Sequence, residues 1–480
     1  MKPPRSVTSE IAALPPIDEP VDPERASRPL PSGVSLWLDP ARCPTERPPL
    51  ALMAAATRAL HTTLDAHARE CGTPWLHPDR RTIQRDLFGS PEVVAWQEAK
   101  LSFLVRGDGA WSELPHLYAR YGTPGTSQLI AALRDLEQAS CGLVTDSGMQ
   151  AIALVADALL DRAGHAIVLA QVYNKTKTFL EWTARRLGAA ITVVPDGDPA
   201  AVAAALQPNT RFVLAETFTN PLMRAQDIPA LVAACGHARL VVDSTIATPW
   251  AFRRPLLAQG VAVVVGSLTK ALGGQDAALG GYVATNDAEL ANQLVDLLAM
   301  RGGILDDDRA RRIASGLPAA ESAHARRCVT AARVAGFLAR HPRIERVFHP
   351  SLPDHPDAAT IARDYARLGS LVSFRVRDAD EDRHRHIADV LVSCVVPRYA
   401  LSFDGLPTKV NHHKTVSEYF TPPDAVADLG MDRLIRLGIG IEEADDLIAC
   451  LNWTLHHEAR ITAADLEAWR AERATELRLR

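Results

Sequence analysis

Residues 263–274 read VVVGSLTKALGG: a run of three valines ends in Gly-Ser, and one amine, Lys270, follows among Ser267, Thr269 and glycines. Upstream, LVVD places a carboxylate, Asp243, at the end of another apolar run. TDSGMQAI places Ser147, Gly148 and Met149 where a strand hands over to a helix. The first backbone N–H groups of a helix lack internal acceptors and its dipole favours an anion, so this turn can cradle a phosphate. An amine that can form an imine, a carboxylate that can hold a proton on a pyridine nitrogen, and donors for a phosphate are together the needs of pyridoxal 5'-phosphate. Near a cationic ring and out of water, the Lys270 amine would also serve as nucleophile and proton shuttle.

The elements that must position these residues follow from the hydrophobic pattern. CGLVT, HAIVLA, AAITVVP, RFVLAET, RLVVDS and VAVVVGS read as short apolar strands alternating with helices such as SQLIAALRDLEQA, GMQAIALVADALL and TKTFLEWTARRLG. That alternation predicts an α/β fold with a mostly parallel sheet covered by helices on both faces, and a site along the strands' carboxyl edge. Beyond about residue 310 a long alanine- and arginine-rich helix precedes RIERVFHP, LVSFRVR and LIRLGIG, predicting a smaller α+β C-terminal domain. ITAADLEAWRAERATELRLR predicts a terminal helix capped by Thr462, with Leu466, Trp469 and Leu477 on one side. Twelve of the 33 prolines fall in the first 50 residues, so that stretch reads as an irregular arm, followed by a helix over 50–69. The expected division is an N-terminal arm with helix over 1–117, a large domain over 118–312 and a small domain over 313–480.

A chain of 480 residues exceeds one core, which accords with that division. The formal charge of −5 gives no basic footprint for nucleic acid. Seven scattered cysteines without a CxxC pair point to neither a disulfide framework nor a metal centre, and to a reducing, cytoplasmic location. No uncharged apolar run is long enough for a membrane span, and the start lacks a signal-peptide h-region. His412-His413 lack ligand spacing with a third residue and read as loop residues near the substrate entrance. Asp306-Asp307-Asp308 reads as a solvated turn, and Arg326-Arg327 as helix decoration.

Eight collinear stretches, YARYGTP, TDSGMQAI, VYNKT, ETFTNPL, VVDSTIATPW, GSLTKALGG, LSFDG and LIRLGIGIEEADDLI, run from about Tyr118 to about Leu455. Together they resemble the pyridoxal-phosphate enzymes of Cys/Met metabolism: cystathionine γ-synthase, the cystathionine lyases, methionine γ-lyase and the O-acyl-homoserine sulfhydrylases. The resemblance implies the type I fold of these enzymes, like that of aspartate aminotransferase. Lys270 would carry the cofactor as an imine, with Asp243 on the pyridinium and Tyr173 stacked on the ring as an acid or base. Gly148, Met149, Ser267 and Thr269 would bind the phosphate, and Asn220 would lie near the phenolic oxygen. Arg436, with Ser402 beside it, would clamp the substrate α-carboxylate in a two-pronged pair. Tyr118 and Arg120 would reach the phosphate of a neighbouring subunit in a homotetramer with shared sites.

The chain also departs from the family. Tyr173-Asn174-Lys175-Thr176 stands where the family has YGGT or YGCT, and Ser402-Phe403-Asp404-Gly405 where it has SLGG. ALGGQDAALGG replaces YLGGHSDVVGG. These changes fall on the substrate side. The resemblance implies γ-replacement or γ-elimination on an amino acid such as O-acyl-homoserine or cystathionine. A β-lyase acting on cystathionine or a cysteine conjugate is the alternative, and a catalytically silent cofactor-binding regulator is an alternative of another class.

Overall fold

A computed structural model describes residues 33–38, 43–71, 119–273, 278–418, 426 and 430–477. Seven short strands form the first sheet: β1 (Cys141–Thr145), β2 (His165–Leu169), β3 (Ala190–Val194), β4 (Thr210–Glu216), β5 (Arg239–Asp243), β6 (Val263–Ser267) and β7 (Gly281–Thr285). Their order is β1-β7-β6-β5-β4-β2-β3. The neighbours from β6 to β3 pair in parallel, whereas β7 runs antiparallel to both β6 and β1. The segment of β7 (GYVAT) gave no strand expectation, because a glycine pair precedes it and its apolar run is brief. Every residue of β2 and β7 is buried, as a sheet covered on both faces requires.

The second sheet contains β8 (Ile344–Phe348), β9 (Leu371–Val376), β10 (Arg398–Tyr399), β11 (Lys409–His412) and β12 (Ile435–Gly438), in the order β10-β11-β12-β9-β8. One helix, Asp307–Arg340, joins the two cores. Ala310, Ile313 and Leu317 pack in the first core, and Ala331, Val334, Ala335 and Leu338 in the second.

Three expectations are corrected along this frame. Asp306 is not in a free turn: its side chain accepts from the Arg309 N–H and caps the long helix, while buried Asp307 accepts from the Gly125 N–H at 2.6 Å. Arg326 and Arg327 do not decorate the helix surface. Both are buried, with Arg326 donating to the Ile441 carbonyl at 2.8 Å and Arg327 to the Gly405 carbonyl at 2.9 Å. His412 closes β11 and His413 opens a short helix (His413–Ser417), both buried rather than in an open loop. His412 is held by Thr415 at 2.7 Å and by the Asp432 carbonyl at 2.8 Å. For Asp307, Arg326, Arg327 and His412 a backbone group distant in sequence supplies the partner that permits burial.

The described part of the amino-terminal segment lies against the second core. Val34, Trp37 and Met53 are buried there. Asn452 donates to the Trp37 carbonyl at 2.6 Å, Trp453 to the Thr45 carbonyl at 3.1 Å, and the Ala54 N–H donates to Asp446 at 3.1 Å. The helix Ala55–Cys71 adds buried His61, 3.2 Å from Glu442, and Asp65, which pairs with Arg398 at 2.8 Å and Arg473 at 2.7 Å. Arg473 belongs to the terminal helix Ala463–Glu476, where Thr462 forms a capping box with Asp465.

Behind the strand that leads to Lys270, the Tyr282 hydroxyl of β7 donates to Glu137 at 2.5 Å, with both residues buried. The Tyr282 ring covers Gly266 so closely that a Cβ there would lie 2.4 Å from it, so only glycine fits on β6 at this point. Burial outweighs the tyrosine hydrogen bond and raises the Glu137 carboxyl from 4.5 to about 7. A carboxyl that keeps its proton longer in the fold than in the open chain stabilises fully below pH 4.5 and loses that contribution as pH rises through about 7. Glu137→Gln should therefore flatten the decline in stability between pH 5 and 8, which in the parent amounts to about 3 kcal/mol from this group. Denaturant midpoints measured across that range check it.

Candidate active site

The carboxyl ends of β4, β5 and β6 and the start of the helix Gly148–Leu159 open onto one cavity of about 490 Å³. Glu216 and Asp243 end adjacent strands directly opposite one another, so two carboxylates share this edge. Asp243 is buried and accepts the Thr245 N–H at 2.9 Å. Among the described residues no basic side chain pairs with it. Burial raises its pKa, partly offset by the Thr245 hydrogen bonds. Glu216 is pushed well above the usual range by burial and then by the neighbouring Asp243 charge, and it accepts the Tyr173 N–H at 2.6 Å.

The phosphate-cradle turn has the required form. Ser147 caps the helix by accepting from the Gln150 N–H, which leaves the first N–H groups of Gly148 and Met149 at the cavity wall. A Cβ at Gly148 would lie 2.9 Å from the Ser267 Cβ, so glycine lets the helix start approach the end of β6. The Ser267 N–H donates to the Thr245 hydroxyl at 2.9 Å. Thr269 lines the cavity, and its hydroxyl also bridges the carbonyl and N–H of Gly280 at 3.3 and 3.2 Å.

The other half of the wall comes from the second core. Lys270 Nζ donates to the Ser402 hydroxyl and sits 4.9 Å from the centroid of the Phe403 ring. Arg436, on β12, lies 5.6 Å from the same ring. It donates to Asn220 Oδ1 at 3.0 Å and to the Leu401 carbonyl at 3.2 Å. Burial lowers the Arg436 pKa to about 10, so it stays cationic at neutral pH. The loop bearing Ser402 and Phe403 is braced from behind: Asp404 has φ 56° and is buried, its carbonyl accepts from Lys409, and its carboxylate accepts from Ser370. The unusual Asp404 is absent from the cavity lining and serves this brace.

The structure thus brings Lys270, Asp243, Tyr173, Gly148, Met149, Ser267, Thr269, Asn220, Ser402 and Arg436 to one cavity. Arg120 is exposed with its guanidinium 6.0 Å from the Tyr121 ring, and it is not among the residues lining the cavity of its own chain. Tyr118 lies outside the described residues. Glu216 and Glu418 also line the site and were not singled out from sequence, while Phe403 and His413, expected on the substrate side and near its entrance, line it as well. Glu216 carried the same signal as Asp243, a charge closing an apolar strand. Glu418 sits in a stretch without periodicity and could be found only in three dimensions.

A buried carboxylate lacking a cation among the described residues, an amine on the same cavity wall and a helix start narrowed by glycine fit a phosphorylated pyridine aldehyde. With the doubly covered sheet, they define a type I pyridoxal-phosphate enzyme. The family description "Cys/Met metabolism PLP-dependent enzyme" matches residues 98–456, and the chain belongs to that family, whose cofactor is pyridoxal 5'-phosphate. It is 30% identical over 379 residues to an L-methionine gamma-lyase of Fusobacterium nucleatum, covering 76% of this chain and 94% of that one. It is 32% identical over 333 residues to the cystathionine beta-lyase MetC of Bacillus subtilis, covering 69% and 83%. A cystathionine gamma-synthase of Mycobacterium tuberculosis is 33% identical over 342 residues, covering 70% and 86%. Among solved structures, cystathionine gamma synthase from Xanthomonas oryzae in complex with cystathionine superposes with a TM-score of 0.68 at 30% identity, covering 72% of this chain and 88% of that one. The chain is accordingly a pyridoxal-phosphate-dependent enzyme acting on Cys/Met-type metabolites.

Lys270→Ala should yield folded protein that loses the visible absorbance of the bound aldehyde. A visible band that survives in the purified variant would place the aldehyde on another lysine.

Proposed function

We propose that the enzyme catalyses γ-replacement or γ-elimination on a thioether or O-acylated amino acid, with Lys270 as the base and Arg436 as the carboxylate clamp. One observation carries this reading: the Lys270 amine and the Arg436 guanidinium face the same Phe403 ring, at 4.9 and 5.6 Å. An amino acid whose carboxylate meets Arg436 in a bidentate pair thus presents its α-carbon toward the amine.

Lys270 would attach the cofactor, Asp243 would hold the proton on its ring nitrogen, and Gly148, Met149, Ser267 and Thr269 would bind its phosphate. When bound, pyridoxal phosphate supplies the electron-withdrawing ring that makes the substrate α-proton acidic. Lys270 Nζ takes that proton and, in the γ route, also moves the one from Cβ. The Ser402 hydroxyl holds the amine in place between transfers. Asn220 fixes the Arg436 fork from behind. Tyr173 stands at the cavity wall, 47% exposed, where its hydroxyl can give a proton to the departing group.

The γ route is supported by two of the relatives, a γ-lyase and a γ-synthase. The β-lyase among them keeps a second reading in view, in which one proton removal suffices before the leaving group departs. Product analysis separates the two: O-acyl-homoserine or cystathionine should give a four-carbon 2-oxo acid or a replacement product, whereas pyruvate alone would establish the β route. Arg436→Ala should lower kcat/KM by roughly 100-fold or more while the visible cofactor band is retained.

The exposed Arg120, with Tyr118, is assigned to the phosphate of a neighbouring subunit in a homotetramer. Mixed oligomers of Arg120→Ala and Lys270→Ala chains should regain activity that neither variant shows alone. Mixtures that stay inactive although the chains co-purify would return Arg120 to a surface role.

A further inference from the structure

On the cavity wall bearing Tyr173 and Asn174, the short helix His413–Ser417 and the residue after it contribute His413 and Glu418. His413 is buried, and among the described residues neither of its ring nitrogens has a hydrogen-bond partner. An imidazole stripped of water with both nitrogens unsatisfied is costly unless a ligand completes it. Glu418 Oε2 accepts from the Asn174 side-chain amide at 2.6 Å, which fixes the carboxylate. Its other oxygen then lies 3.9 Å from His413 Nε2. That separation exceeds a hydrogen bond, yet a single nitrogen can donate one N–H to each group at ordinary length. Burial, and next the Arg436 charge, hold the His413 pKa well below its usual value, so the ring is neutral and can present an acceptor.

Resting on the reading of the preceding subsection, we propose that His413 and Glu418, with Asn174 as positioning residue, form a subsite for a substrate whose far end carries an ammonium group. Arg436 engages the α-carboxylate, and Glu418, within electrostatic reach of Arg436, adds a carboxylate to the wall that bears Tyr173 and Asn174. A zwitterionic amino acid with a second amine at the end of its side chain matches that pair of charges. Lys175 also lines the cavity, which makes a distal carboxylate the competing occupant. Asn174, Lys175, His413 and Glu418 are this chain's own selection among substrates, separate from the groups that hold the cofactor.

Three thioether amino acids of matched length test the subsite: S-(2-aminoethyl)-homocysteine, S-propyl-homocysteine and S-(2-carboxyethyl)-homocysteine. Calorimetry on the Lys270→Ala protein supplied with pyridoxal phosphate measures binding without turnover, and kcat/KM on the parent holoenzyme gives the kinetic ratio. The aminoethyl compound should bind roughly 10- to 100-fold tighter than the propyl compound. Glu418→Gln and His413→Phe, made on that background and on the parent, should each reduce that advantage, Glu418→Gln to within about threefold. Equal affinity for the aminoethyl and propyl compounds, or tightest binding of the carboxyethyl compound, overturns the subsite and leaves the reaction assignment standing. If none of the three binds, the subsite is overturned, and if in addition neither a thioether nor an O-acylated amino acid gives product, the reaction assignment fails with it.

Discussion

A carboxylate removed from water at the end of β5 governs the chemistry of this chain. Asp243 is buried with a backbone N–H for support and no basic side chain among the described residues. A second buried carboxyl, Glu216, stands beside it and raises the cost of ionising both. Ionising both at once is costly unless something else supplies positive charge. The pyridoxal phosphate of this family would bring such a charge on its ring nitrogen, and on the proposed reading Asp243 would be the group that holds the proton there.

The site also depends on two cores meeting correctly. Lys270 follows β6 of the first sheet, yet its amine is held by Ser402 from the loop ahead of β11. Arg436 belongs to the second sheet and is oriented by Asn220 from the first. The helix Asp307–Arg340, with Pro318 inside it, contributes side chains to both hydrophobic cores and so ties the halves together. Buried Arg327, on that helix, reaches the Gly405 carbonyl and so couples the joining element to the substrate-side loop. Precision at Lys270 is thereby distributed over contacts far along the chain from it.

Much of this was legible in the residues. The apolar strands announce themselves because a parallel sheet covered on both faces demands uninterrupted burial, and the residues closing those strands, Asp243 and Lys270, mark the edge where ligands bind. What stayed hidden shares one property: its meaning depends on a partner remote in sequence. Arg327 looks like surface decoration until Gly405 is placed against it, and Asp307 like a turn former until Gly125 is. Glu418 lies in a segment without periodicity, and only the fold reveals that it lines the same cavity as Lys270. The antiparallel β7 escaped because its five residues follow glycines that mimic a loop.

The contacts made by the described amino-terminal residues also bear on synthesis. Described residues between 34 and 65 find their partners around positions 398–473, so a segment made earlier is bound by one made more than three hundred residues later. Until those later residues are made, Trp37 and Met53 lack the surface that covers them in the fold. Closure of the smaller core around that segment is then a late event in biogenesis, one that seals the two ends of the described chain together.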